Sequence, residues 1–110
     1  MYDAFMRDAS DHSLTASSRV RAAFDALYTA CVQLVDPQDM SADSGEKFAE
    51  SLVAHALAAM NLPGEYAALA GKLCDWALHT APLPPLPMSP IEAVALAERV
   101  HEAAQEKGAC

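Results

Sequence analysis

Apolar side chains recur every three or four residues between Ser18 and Val35, and this spacing constrains the fold more than any other feature of the chain. At 100° per residue, five of them share a narrow arc of one helix: Val20, Phe24, Leu27, Cys31 and Leu34. Burying each large apolar side chain contributes roughly 1.5–3 kcal/mol, and a lone helix cannot bury them. The stretch therefore predicts an amphipathic helix that other helices cover.

The composition predicts an all-α protein. Alanine, leucine and charged residues are abundant, β-branched residues are few, and no run alternates between polar and apolar residues as a half-buried strand does. At 110 residues the chain has the size of one domain that buries a core without disulfide bonds. We expect a single helical domain over residues 1–110, folded as a four-helix bundle. Residues 1–12 form either a short extra helix or an arm that docks Tyr2, Phe5 and Met6 on the bundle.

Capping and proline signals place four helices at about residues 13–35, 44–60, 63–80 and 90–107. Asp11 or Ser13 is the expected cap of the first, and Asp43 with Glu46 has the spacing of a capping box before the second. Pro63 opens the third helix. The fourth begins at the strongest start signal, Ser89-Pro-Ile-Glu92, after a proline-rich connector at residues 81–88.

The second helix has an unusually wide apolar arc, which covers nearly half of its circumference. Its members are Phe48, Leu52, Val53, Ala56, Leu57, Ala59 and Met60. Such a helix is either central in the fold or part of an oligomer interface. Leu78 lies off the apolar stripe of the third helix and points to the same alternative. We expect Leu57, Met60 and Leu78 to form the interface of a homodimer or of a complex with a partner protein.

The last helix has an inward face made mostly of small residues. These are Ala93, Leu96, Ala97, Val100, Ala103 and Ala104. Small side chains permit close approach of two backbones but bury little area. We therefore expect this helix to be the most easily detached.

The chain is acidic, with 15 Asp and Glu residues, 7 Lys and Arg residues and a formal net charge of −8 at pH 7. This charge repels phosphate backbones and anionic lipids, so it disfavours nucleic acid and membrane surfaces as partners. No secretion signal begins the chain, and no apolar stretch approaches the roughly 20 residues of a membrane span. Three widely spaced cysteines are typical of reduced thiols. We expect a cytoplasmic protein.

Three side chains are candidates for a small-ligand pocket between helices: His55, Tyr28 and Trp76. His55 lies at the edge of the apolar arc of the second helix, where an imidazole is either a satisfied core group or a pocket group. Asp75 and His79 are four residues apart on one helix face, as in a carboxylate–imidazole pair. A surface pair is the simpler interpretation of that spacing.

Glu98 and His101 have the Glu-x-x-His spacing found in di-iron helical bundles. A di-iron site needs a second copy of this motif and two further glutamates, and the sequence has a single copy. A solvated charge pair is the simpler interpretation. No glycine-rich phosphate loop or nucleophile elbow occurs, so we expect no catalytic residues and no cofactor.

The segment from Arg19 to Ala30, Arg-Val-Arg-Ala-Ala-Phe-Asp-Ala-Leu-Tyr-Thr-Ala, resembles the opening helix of small bacterial HEPN-like domains. The resemblance implies a helical bundle, frequently dimeric, that works as a ribonuclease toxin, as a nucleotide- or RNA-associated partner, or as an accessory helical module. The ribonuclease members carry Arg and His several residues apart near the last helix. Here a single residue separates Arg99 from His101, and Lys72 stands where an arginine would be needed ahead of His79.

The sequence therefore favours a small, cytoplasmic, non-catalytic interaction module that resembles HEPN-like domains and self-associates. One alternative is a helical bundle that binds a nucleotide or another small ligand, with hydrolytic activity. The second alternative is a metal-binding bundle that holds di-iron or zinc.

Overall fold

Five α-helices make up the described residues of the computed structural model, which are 2–34, 48–78 and 86–108. They are α1 (Tyr2–Ala9), α2 (Ala16–Leu34), α3 (Phe48–Met60), α4 (Gly64–Leu78) and α5 (Pro90–Gly108). No strand occurs in these ranges, which confirms the all-α prediction. Within the same ranges, no helix has both the length and the apolar character to cross a membrane.

Helix α1 is the first of the two alternatives for residues 1–12, a short helix, and it packs against α2 and α5. Its last residue, Ala9, is fully buried, and Tyr2, Phe5 and Met6 pack against the core while half-buried. Arg19 on α2 donates a hydrogen bond of 2.9 Å from Nε to the carbonyl of Ala9. This bond satisfies one of the carbonyls left without a partner at the end of α1.

Helix α2 begins three residues later than the sequence predicts, because its cap is neither Asp11 nor Ser13. Thr15 is the cap: its Oγ1 accepts a hydrogen bond of 3.1 Å from the backbone N–H of Ser18. Asp11 instead closes the preceding turn, where its Oδ1 accepts bonds from the backbone N–H and the hydroxyl of Ser13 at 2.9 and 2.7 Å.

Helix α2 lies at the centre of the fold and contacts all four other described helices. The predicted arc is confirmed at Val20, Phe24, Leu27 and Cys31, which are buried, while Leu34 is half-buried. Burial extends beyond that arc to four alanines: Ala22, Ala23, Ala26 and Ala30. The buried surface spans roughly 200° of the helix, about twice the width of an ordinary core-facing stripe.

Helices α3 and α4 form a pair joined by a tight turn. Asn61 ends α3 in a left-handed conformation with φ of 56°, and its N–H donates to the carbonyl of Ala58. Asparagine is one of the residues that tolerate this conformation at a helix C-terminus. Pro63 directly precedes α4, and its carbonyl accepts a bond of 3.0 Å from Tyr66 N–H. The helix therefore starts within one residue of the predicted position.

Helix α5 begins as predicted. Ser89 N–H donates to Glu92 Oε1, and Glu92 N–H donates to Ser89 Oγ, both at 3.2 Å, which is the reciprocal capping box. The predicted inward face is buried at all six positions. Helix α5 makes its most extensive contact with α2, and no other two of the described helices share a larger one. This packing is at odds with the expectation that α5 is the most easily detached helix.

Some predicted features lie outside the described residues. These are the capping box at Asp43 to Glu46, the Asp75–His79 pair through His79, and most of the connector at residues 81–88.

Candidate functional site

An open cleft of about 460 Å³ lies between α1, α2 and α4, and we call it the α1–α2–α4 cleft. Its walls carry two aromatic side chains, Phe5 and Trp76, and the hydroxyls of Ser17 and Ser18. Three charged side chains line it as well. The full lining is Phe5, Asp8, Leu14, Ser17, Ser18, Arg21, Ala22, Asp25, Trp76 and Ala77. Aromatic walls with a few polar groups are typical of ligand and peptide sites.

Arg21 is fixed on one side of this cleft by three contacts. Its Nη1 donates a hydrogen bond of 2.6 Å to the carbonyl of Ala77, near the C-terminus of α4. Its Nε lies 3.6 Å from Asp25 Oδ1, one helical turn away on α2. The guanidinium carbon also lies 5.7 Å from the centre of the Phe24 ring. Arg21 therefore joins α2 to α4 and is engaged within the protein.

Asp25 is the less exposed partner of this ion pair, with its side chain 34% exposed against 51% for Arg21. Burial raises the pKa of the Asp25 carboxyl, although the positive charge of Arg21 acts in the opposite direction. The upward direction means that desolvation outweighs the ion pair. The folded environment therefore disfavours the ionised form of Asp25 relative to water.

A second cavity of about 390 Å³ lies between α3 and α4. Small and aliphatic side chains form most of its walls, with the Asp75 carboxylate beside them. The lining residues are Val53, Ala54, Leu57, Ala58, Leu62, Ala67, Gly71, Cys74 and Asp75. This groove has one charged side chain in its lining, against three in the α1–α2–α4 cleft, and so places fewer polar groups near a ligand.

The three predicted pocket residues do not share one cavity among the described residues. Trp76 lines the α1–α2–α4 cleft. Tyr28 stacks on Phe24 with ring centres 6.0 Å apart, and burial and the nearby Cys74 and Cys31 raise its pKa. His55 is exposed on α3, where its Nδ1 lies 2.8 Å from the carbonyl of Ser51. Of the three, Trp76 lines one of the two cavities described here, and Tyr28 and His55 line neither.

The predicted metal residues, Glu98 and His101, both lie on α5, and His101 contacts other side chains. The His101 ring stacks on Tyr2, with ring centres 3.7 Å apart and an angle of 11° between the planes. Its Nε2 lies 3.2 Å from Gln105 Nε2. Within residues 2–34, 48–78 and 86–108, no group of three His, Cys, Asp or Glu side chains is placed to hold a metal.

Two of the three predicted interface residues are buried within the chain itself. Leu57 is 5% exposed and Met60 is 7% exposed, and both belong to the core. Leu78 ends α4, and its side chain lies outside the described residues. The wide apolar arc of α3 is therefore covered by this protein's own helices at Leu57 and Met60, which present little area to a second copy.

Cys31 on α2 and Cys74 on α4 are buried thiols. Burial, together with the neighbouring Cys74, raises the pKa of Cys31 to about 12. Only the thiolate is an effective nucleophile, so Cys31 is unreactive at neutral pH. Its role is that of a small core residue, as its position on the apolar arc indicates.

Comparisons with protein-family models, with curated proteins and with solved structures find no match to this chain. The resemblance of α2 to the opening helix of HEPN-like domains therefore stays a prediction.

Most of the cleft was missed by reasoning from the sequence. Arg21 and Asp25 have the four-residue spacing of a helical ion pair, which is a detectable signal. Asp8 and Phe5 come from α1, and their place beside Trp76 depends on how three helices pack. No local pattern specifies that arrangement.

Proposed function

We propose that this protein is a non-catalytic helical interaction module that binds its partner protein through the α1–α2–α4 cleft. The observation that carries the proposal is the meeting of Phe5 and Trp76 with Asp8 and Asp25 in one open cleft. Aromatic side chains dominate the binding energy of many protein interfaces, and charged groups around them provide specificity. The acidic chain favours a partner that presents a basic surface.

A selection of displayed peptides on the immobilised full-length protein tests this proposal. Peptides that bind the cleft lose affinity for Trp76→Ala and for Ser17→Tyr, which places a bulky ring at the cleft. They keep their affinity for Val32→Ala, a change at an exposed apolar residue of α2 that does not line the cleft. Circular dichroism establishes that each variant is folded. Equal binding to all three variants contradicts the proposal.

A small organic ligand is the second candidate, favoured by the volume of the cleft, which falls within the usual range for small-molecule sites. Nucleotides fit it poorly, because their phosphates would meet Asp8 and Asp25 while Arg21 is already engaged. A thermal-shift panel of nucleotides, small amines and metal ions separates these possibilities, since a bound ligand raises the melting temperature by mass action.

The finer architecture and the oligomeric state belong to the same proposal. We propose that α2, α3, α4 and α5 form a four-helix bundle to which α1 is added, supported by contacts between each successive pair and between α5 and α2. A homodimer needs a surface other than Leu57 and Met60. Size-exclusion chromatography with light scattering tests the proposal that the protein self-associates. A monomer at high protein concentration contradicts that proposal.

A further inference from the structure

We propose that the α1–α2–α4 cleft binds an organic cation, an ammonium or guanidinium group carried on an apolar body. This inference rests on the proposed function, because it names the chemistry that the same cleft recognises. Two carboxylates, Asp8 on α1 and Asp25 on α2, line the cleft beside one guanidinium, Arg21. The cleft therefore has one negative charge in excess, contributed from two of its walls.

Asp25 provides the stronger of the two electrostatic attractions, because its carboxylate is the more deeply placed. Its neighbour Arg21 lies at 3.6 Å, a long separation for an ion pair, and divides its guanidinium between Asp25 and the Ala77 carbonyl. A second cation beside Asp25 would offset the free-energy cost of holding an ionised carboxylate in a partly buried position.

The aromatic walls complete the site for a cation with an apolar body. A tryptophan face is the strongest aromatic partner for a cation, and the apolar body of the ligand would pack on Phe5. The protein already uses this pairing elsewhere: Arg99 lies 6.0 Å from the centre of the Tyr66 ring. Trp76 is half-buried, so part of its surface is available to a ligand.

An anion is the less favourable occupant. It would meet both carboxylates, and Arg21 would have to give up the Ala77 carbonyl and Asp25 to bind it. A neutral aromatic ligand would gain the ring contacts but would leave the excess charge uncompensated. Among ligands of the same shape, the excess negative charge of the cleft therefore favours the cation over the neutral molecule and the anion.

Benzamidine and benzamide form a matched pair for the test, since they share a shape and differ in charge. Trp76 is the one tryptophan of the sequence, so its fluorescence reports directly on the cleft. We expect benzamidine to change that fluorescence and to shift the amide resonances of α1, α2 and α4 in NMR spectra. We expect benzamide to bind at least about tenfold more weakly, as a lost charged hydrogen bond implies.

Two carboxylate variants and a control locate the charge that matters. Asp25→Asn should weaken benzamidine binding roughly tenfold, and Asp8→Asn should weaken it by a smaller factor. Asp3→Asn makes the same charge change on α1 outside the cleft lining and should leave binding unchanged. Because Asp8 is exposed, its variant keeps the test valid if Asp25→Asn unfolds the protein.

The natural source of the cation is either the side chain of Arg or Lys in a partner or a free small amine. An acetylated arginine peptide that binds more tightly than benzamidine supports the inference and assigns the partner. Tighter binding of benzamidine supports it and assigns a free amine. Equal binding of benzamidine and benzamide, or no shift at cleft resonances, overturns it. The proposed function fails on a separate result, equal binding of the displayed peptides to Trp76→Ala, Ser17→Tyr and Val32→Ala.

Discussion

The guanidinium of Arg21 donates a 2.6 Å hydrogen bond to the carbonyl of Ala77, next to the last residue of α4. The last carbonyls of a helix have no partner within it, so a side chain from another helix both satisfies one of them and fixes the distance between the two helices. This contact sets the width of the α1–α2–α4 cleft on the side where Trp76 lies.

Replacing Arg21 by Met removes the guanidinium and keeps an apolar stem. We expect Arg21→Met to lower the free energy of unfolding by about 1–2 kcal/mol, because a charged hydrogen bond is lost and Asp25 is left half-buried without its partner. Urea denaturation followed by circular dichroism measures the change. Lys72→Met, at an exposed position of α4, is the control and should stay within about 0.5 kcal/mol of the wild type. Equal effects of the two changes would contradict the structural role of Arg21.

The pH dependence of stability should carry the signature of Asp25. Its pKa is raised in the folded state above the ordinary value of 3.8, so its contribution to stability is fully present below 3.8 and is lost as pH rises through the folded pKa. Asp25→Asn removes this dependence. The free energy of unfolding of Asp25→Asn minus that of the wild type should therefore increase between about pH 3 and pH 6.

Asp11 provides a control of opposite sign. Hydrogen bonds from the side chain and backbone of Ser13 lower the pKa of Asp11, so its stabilising effect is present above 3.8 and is lost as pH falls. The free energy of unfolding of Asp11→Asn minus that of the wild type should therefore decrease as pH rises. Two differences that change in the same direction would contradict the environments described for these carboxyl groups.

The stacking of Tyr2 on His101 should hold α1 against α5. A double-mutant cycle with Tyr2→Leu and His101→Leu should give a coupling of about 0.5–1.5 kcal/mol, as expected for an aromatic pair. Hydrogen exchange should become faster in α1 in either single variant. Tyr2→Leu combined with His55→Leu, at an exposed histidine of α3, should be additive. Absence of coupling between Tyr2 and His101 would show that the stack does not hold α1.

Cys31 should resist alkylation in the folded protein. With a pKa of about 12 and a fully buried side chain, it exposes almost no thiolate at about pH 8. Mass spectrometry after treatment with iodoacetamide should find Cys31 unmodified in the native protein and modified in guanidinium chloride. Rapid native labelling would place this thiol in an accessible site rather than in the core.

The elements of the fold that depend on local chemistry were predictable from the sequence. The Ser89–Glu92 capping box formed as expected because its two reciprocal hydrogen bonds join residues only three apart in the sequence. The predicted start of α2 was wrong because three nearby residues are all good helix caps: Asp11, Ser13 and Thr15. Which of them caps the helix depends on where the preceding turn, which Asp11 closes, ends.

The candidate site was harder to predict than the helices, because it is built from side chains distant in sequence. Tyr28 and Trp76 both lie on apolar helix faces, yet only Trp76 lines the cleft. The wide arc of α3 left two interpretations open, a central helix or an oligomer interface, and the structure buries Leu57 and Met60 inside the chain. Periodicity indicates that a face is covered, but it does not say whether the cover comes from the same chain.

The three fully buried alanines of α2, at positions 23, 26 and 30, have a consequence for tracing the ancestry of this chain. Their methyl groups are enclosed in the core, so a larger side chain would overpack it, whereas many different residues are acceptable on the exposed side. Divergent homologues should therefore keep small residues at positions 23, 26 and 30 after most other resemblance is lost. Size at those three sites is the signature by which they can be recognised.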